Sequence, residues 1–268
     1  MTDYQDHAAL VSGASSGIGL AIAQQLAARG ALVAITGTHH DKLRVAAATF
    51  PDPDRVKALP FDVTDEAGWK SAVGRVESAW GPLRVLALNA GVGTGGELIE
   101  EVAASTWQWT WDVNVNGVVN GLRTCLPAMR QRALPARVLL TASVAGVWRA
   151  PTVGPYIVSK AAVVALAECL RMELANSPIQ IAVLLPGSVR TDLAETSARS
   201  APIALNARLV DDMRNFLAAG MDPQVVASYA LERMDAGAFY IFTHRQVDDE
   251  IERRLKEMSA AMAQTLET

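Results

Sequence analysis

The sequence predicts an α/β fold, a doubly wound parallel sheet of about seven strands with a helical segment before the last strand. Three observations predict it. Short apolar runs alternate with longer stretches of helical periodicity along all 268 residues. The runs are apolar throughout, as strands are when helices cover both faces of a parallel sheet. A glycine-rich turn, "SGASSGIG", joins the first run to the first helical stretch.

The elements follow in order. "AALVSG" (8–13) is a buried strand running into the glycine turn, and "IGLAIAQQLAARG" (18–30) is a helix that Gly30 can end. "ALVAIT" (31–36) is the second strand, 41–49 a short helix and "VKALPFDV" (56–63) the third strand. A helix near 65–79 leads to "LRVLALNAG" (83–91), and a long helix over about 105–132 leads to "ARVLLTAS" (136–143). A second long helix spans 154–176, and "IQIAVLLPG" (179–187) is the sixth strand. A loop and helices fill 188–236, "AFYIFT" (238–243) is the last strand, and 248–262 is a charged C-terminal helix. No repeat, linker or low-complexity stretch interrupts this alternation, so residues 1–268 read as a single domain.

Composition narrows the function. Half of the residues are hydrophobic, 19% are charged, and the net charge of −4 comes with no basic stripe, so no nucleic-acid partner is expected. No apolar run reaches the length that spans a bilayer, and the opening "MTDYQDH" is polar and acidic. The expectation is a soluble cytoplasmic protein with no membrane partner. Cys125 and Cys169 stand far apart in apolar helical patterns and read as buried free thiols. His7, His39, His40 and His244 show no ligand spacing, so no metal site is expected.

The glycine turn carries the first chemistry. Gly13, Gly17 and Gly19 are spaced G-x3-G-x-G between strand and helix. Such a turn lets the backbone approach a pyrophosphate and aims a helix N-terminus at it. Ser15 and Ser16 offer hydroxyls, and the Ile18 amide opens the helix. In a Rossmann-like sheet, ligands bind beyond the carboxyl ends of the strands. Candidates fall there in series: Asp62 and Val63, then Asn89, Ala90 and Gly91, then Pro186 and Gly187 with Val189 and Thr191 beyond. Each alone is an ordinary turn residue; together on one rim they read as dinucleotide contacts.

The motifs "VSGASSGIG", "DVT", "NAG", "VNVNG", "TASVAG", "YIVSK" and "PGSVRT" together resemble the short-chain dehydrogenase/reductase family over nearly the whole chain. Two positions depart from its pattern: Ser12 replaces the usual threonine, and Ala142 the first serine of the usual Ser-Ser pair. "MTDYQDHAALVSG", "VNVNGVVNGLRTCLPAM", "GPYIVSKAA" and the terminal "FYIFTH" resemble a subgroup containing bacterial dehydrogenases of benzylic alcohols in lignin-derived aryl ethers. The resemblance implies Tyr156 as acid/base, Lys160 as its partner, Ser143 as the substrate-orienting hydroxyl and Asn114 as part of a proton relay. Tyr156 and Lys160, four apart on a helix, share a face. A free tyrosine has a pKa of about 10. A neighbouring ammonium favours the phenolate and is expected to lower that value by about three units. Tyr156 and Lys160 also count among the cofactor contacts.

At the end of the second strand, "AITGTHHDKL", no acid stands at the position that would take the ribose hydroxyls, and no arginine follows for a 2′-phosphate. Gly37 leaves room, and Thr38 with the histidines can donate, so the reading leans to NADP, with NAD the alternative. The substrate is expected between residues 92–98, residues 147–155 and a mostly apolar segment from Ser188 to about Gly220. Leu193, Ile203, Leu205 and Leu209 in that segment suggest a hydrophobic or aromatic substrate. Trp148 reads equally as pocket lining or packing, whereas Trp107, Trp109 and Trp111 read as core or interface packing. The function expected is an NAD(P)-dependent oxidoreductase moving hydride between the cofactor and a secondary alcohol or ketone. A non-catalytic NAD(P)-binding sensor or scaffold is the alternative, and a sugar-nucleotide epimerase ranks below both. The resemblance also implies a homotetramer or homodimer built through the two long helices.

Overall fold

A computed structural model describes residues 4–245 and 248–263. Its strands are β1 (Ala8–Val11), β2 (Leu32–Gly37), β3 (Val56–Pro60), β4 (Leu83–Leu88), β5 (Ala136–Thr141), β6 (Ile179–Leu185) and β7 (Tyr240–Phe242). They form one sheet in the order β3-β2-β1-β4-β5-β6-β7. Every neighbouring pair is parallel, with Leu10 of β1 opposite both Ala34 of β2 and Leu86 of β4. The order reverses between β1 and β4, which opens a crevice beyond their carboxyl ends. The sheet is thus the doubly wound, Rossmann-like sheet that the apolar runs predict.

Alternate strand residues face two separate cores. Leu10, Leu86 and Leu140 point to one side, Val11, Val85 and Leu139 to the other. On the first side lie α3 (Glu66–Trp80), α5 (Gly117–Arg132) and α6 (Gly154–Glu173), with the fully buried Trp69 among them. On the second lie α1 (Gly17–Ala28), α2 (His40–Ala47) and α9 (Pro223–Asp235). With both faces covered, runs such as "VLLT" have no polar side to show. The remaining helices are α4 (Ala104–Trp111), α7 (Leu193–Ser200), α8 (Ala207–Ala218) and α10 (Asp248–Met262).

Four features correct or refine the sequence reading. Several strands stop two or three residues before their apolar runs do, because Ser12, Asp62, Asn89 and Pro186 leave the ladder to form the rim. The long helix over 105–132 is broken by a π turn at Asp112–Asn116 between α4 and α5. The segment 188–220 is mostly helical, supplied by α7 and α8. Finally, Cys125 is buried but Cys169 is exposed. On α6 the inward stripe runs through Val163, Ala167 and Leu170, and Cys169 falls outside it.

Candidate active site

The rim and the substrate segment enclose one cavity of about 820 Å3. Of the predicted site residues, the structure brings Gly13, Ser15, Ser16, Gly17, Ile18, Thr38, Asp62, Val63, Asn89, Ala90, Gly91, Ser143, Tyr156, Lys160, Pro186, Gly187, Val189 and Thr191 to its wall. Gly19 and Asn114 stand one layer behind. A Cβ on Gly19 would strike the Gly13 carbonyl and the Asn89 side chain, so this glycine lets the helix close on the turn. Asn114 is fully buried.

The glycine turn is built for close approach. Gly13 has φ +62°, and a Cβ there would lie 2.6 Å from Ala90 Cα. The N-terminus of α1 opens on the cavity with no side-chain cap from Ser16 and no acidic residue in its first turn. Its amides and the positive end of its dipole are therefore suited to a phosphate. The Ser12 Oγ accepts from Asn89 N at 2.9 Å and Ala90 N at 3.2 Å, pinning the end of β4 to the turn. A dinucleotide therefore fits this wall by the chemistry of its donors and by the space that the missing side chains leave.

The π turn aims Asn114 inward. Its Oδ1 accepts from Val92 N at 2.8 Å, while Nδ2 donates to Val92 O at 3.0 Å and to Ser159 Oγ at 2.9 Å. Ser159 Oγ donates in turn to Tyr156 O at 2.8 Å. Asn114 thus clamps the loop after β4 to the helix carrying Tyr156. A Cβ on Gly91 would lie 3.1 Å from Lys160 Nζ and 3.2 Å from Asn114 Oδ1, so these two polar groups share one small space.

Lys160 Nζ donates to Thr141 O at 3.2 Å and sits 5.8 Å from the centroid of the Tyr156 ring. The charge logic differs from the sequence expectation. Burial pushes the Tyr156 phenol up, and a hydrogen bond with Ser143 pulls against it. Burial also lowers the Lys160 ammonium to about 8. The same apolar wall that holds the pair disfavours both the phenolate and the cation meant to favour it. Ser143 Oγ accepts from Ala145 N at 3.1 Å and lies 3.4 Å from Pro186 O.

The sequence reading missed several wall residues. Lys42 of α2 lines the cavity beside Gly37, Thr38 and His39, while His40 does not. Trp148 is wall, and so is Trp109, which the sequence reading assigned to packing. Ser105, Gln108, Trp109 and Asp112 recur at helical spacing, a signal that could have marked this face. Leu193 and Leu209 line the cavity, but Ile203, which is exposed, and Leu205 do not. Met213, Phe216 and Leu217 of α8 take their place.

A parallel doubly wound sheet with an open glycine turn, a serine, a tyrosine and a buried lysine on one wall defines a nicotinamide-dependent oxidoreductase. A model of the short chain dehydrogenase family matches residues 7–201. The chain therefore belongs to the short-chain dehydrogenase/reductase family. It is 32% identical over 198 residues to an NADP-dependent (R)-specific alcohol dehydrogenase of Lentilactobacillus kefiri, covering 73% of this chain and 78% of the relative. It is 26% identical over 271 residues to a C alpha-dehydrogenase of Sphingobium sp. SYK-6, covering 98% and 88%. A short-chain dehydrogenase/reductase from Burkholderia phymatum, solved in complex with NAD, superposes with a TM-score of 0.89 at 29% identity, with 97% of each chain covered. The protein is an NAD(P)-dependent alcohol dehydrogenase or ketone reductase.

Proposed function

We propose that Tyr156 is the acid/base of an NADP-preferring dehydrogenase acting on uncharged, hydrophobic secondary alcohols and the matching ketones. One observation carries this reading: Tyr156 stands on the cavity wall with Ser143, its ring centroid 5.8 Å from Lys160 Nζ. When bound, the nicotinamide supplies or receives the hydride, and in its oxidised form the positive charge a phenolate needs. Tyr156 takes the alcohol proton in oxidation and returns it in reduction. Ser143 holds the reacting oxygen by a hydrogen bond. Lys160 holds a proton beside the phenol, and Asn114 fixes the loop that closes this space. The hydrophobic preference rests on Trp109, Trp148, Leu193, Leu209, Met213 and Phe216 around the cavity.

The NADP preference rests on Thr38 and His39 just after β2 and on Lys42 of α2, with Gly37 at the strand end where an acid would repel a phosphate. Self-association through the long helices fits the exposed Trp111 of α4 and the exposed Val158 and Met172 of α6, two helices that pack together. A cytoplasmic setting fits the free cysteines.

The test is Tyr156→Phe, assayed on a panel of aryl and alkyl alcohols and ketones with both cofactors. Turnover is expected to fall by about a thousandfold or more. Binding of the reduced cofactor, followed by its fluorescence, is expected to survive. Wild-type turnover in this variant removes Tyr156 from the chemistry.

A further inference from the structure

The "FYIFTH" stretch (239–244) ends in a histidine that the reaction leaves unused. His244 follows β7 and packs on the back of the turn after β6. A Cβ on Gly187 would stand 2.7 Å from His244 Cγ and 2.8 Å from Nδ1, so the ring fills the space of a missing side chain. Gly187 N donates to His244 Nδ1 at 3.1 Å. Thr243 Oγ1 lies 2.7 Å from that same nitrogen and 3.4 Å from Gly187 N.

The tautomer follows from these contacts. A backbone N–H can only donate, so Nδ1 must present its lone pair and the ring proton must sit on Nε2. Thr243 Oγ1 shares this corner, 2.7 Å from Nδ1 and 3.4 Å from Gly187 N. The Gly187 N–H belongs to the same planar peptide group as the Pro186 carbonyl. That carbonyl accepts from Val144 N at 3.0 Å and lies 3.4 Å from Ser143 Oγ. One rigid plane therefore has the imidazole on one edge and the Ser143 turn on the other.

We propose that neutral His244 is a positioning residue: by holding the Gly187 N–H it sets the tilt of the Pro186–Gly187 peptide and thereby the placement of Ser143. This inference rests on the substrate-orienting role proposed for Ser143. Loss of the imidazole removes the hold on the Gly187 edge and leaves Val144 N on the Pro186 carbonyl, so the plane can tilt and misplace the serine hydroxyl without removing it.

Nitrogen-15 NMR of histidine-labelled protein, together with the kinetics of His244→Ala, His244→Asn and Ser143→Ala, tests it. The expected spectrum shows the His244 proton on Nε2. Alanine is expected to lower kcat about tenfold or more, the scale of one lost orienting hydrogen bond. Asparagine, whose side-chain oxygen can accept from Gly187 N, is expected to restore kcat to within about threefold. A proton on Nδ1, equal losses in both His244 variants, or a wild-type kcat for His244→Ala would overturn the proposal. Should the alanine variant fail to fold, the tautomer and the asparagine variant still decide. If Ser143→Ala turns over at the wild-type rate, the catalytic reading falls and takes this one with it. If Ser143→Ala is inactive while His244→Ala is fully active, only the positioning role falls.

Discussion

Lys160 is 4% exposed, yet the role proposed for it asks it to be charged. The fall from 10.5 to about 8 means that the folded protein holds the ammonium against its solvation preference. At neutral pH this corresponds to about 3 kcal/mol of lost stability. The sign is as follows. Below pH 8 both folded and unfolded chains carry the proton, and the folded chain bears the full cost. Between pH 8 and 10.5 the folded chain releases it first, so stability rises with pH. Lys160→Met in the cofactor-free protein is therefore expected to be more stable than wild type at pH 7 by up to about 3 kcal/mol, and inactive. Urea melts at pH 7 and pH 10 should show that advantage shrinking as pH rises; a methionine variant less stable at pH 7 would contradict the burial argument. Lys42 lines the cavity beside Thr38 and His39, where the proposed NADP preference rests. Lys42→Ala is expected to raise the KM for NADP about tenfold and leave that for NAD within about twofold. Equal changes for both cofactors would mean that Lys42 meets no 2′-phosphate.

Among the elements, α7 and α8 form a cap held to the loop after β4. Ser197 Oγ of α7 accepts from Gly93 N at 2.8 Å, and a Cβ on Gly93 would lie 2.6 Å from Met213 Cε of α8. Met213 meets that Cβ with the far end of a flexible chain, so Gly93→Ala should cost less than about 1.5 kcal/mol while displacing a wall residue. The expected result is a raised KM for hydrophobic substrate with nearly unchanged melting; an unchanged KM would place Met213 outside the substrate path. The cap also shows what sequence periodicity conveys and what it does not. The strands, their parallel pairing and the rim were legible because apolar runs and strand-end turn residues are local signals. Leu209 is legible as substrate-facing from its apolar segment, but Met213, Phe216 and Leu217 are not, and only the fold reveals that they share its stripe and face the cavity. The π turn at Asp112–Asn116 leaves the helical pattern intact, so Asn114 was identifiable by motif but not by the extra residue that turns it inward. The upward push on Tyr156 was illegible for a third reason: a cation four residues away is visible in sequence, but the shared burial that weakens it is a tertiary property.

Across the whole molecule, catalysis and stability are placed at opposite ends of the sheet. The cavity lies beyond the carboxyl ends of the strands, while a charged cluster locks their amino ends. Asp235, at the end of α9, accepts from Tyr4 Oη at 2.6 Å and pairs with Arg29 at 3.2 Å and Arg137 at 3.2 Å. Burial, then the hydrogen bond to Asp235, pushes the Tyr4 phenol well above its usual value, so it remains a donor. The carboxylate thereby ties the N-terminal segment, the end of α1, the start of β5 and α9 into one joint. Both arginines are largely buried, with side-chain exposures of 4% and 17%, so removal of the one carboxylate leaves two guanidinium groups with no anion to offset their desolvation. Asp235→Asn keeps the shape but not the charge and is expected to cost about 3–5 kcal/mol of stability. Because the site is built on other residues at the far ends of the strands, kcat measured well below the melting transition should stay within about twofold of wild type. Thermal or urea denaturation alongside steady-state kinetics separates the two. A variant as stable as wild type would show that the cluster does not lock the sheet, and a large fall in kcat would show that the two ends are mechanically coupled.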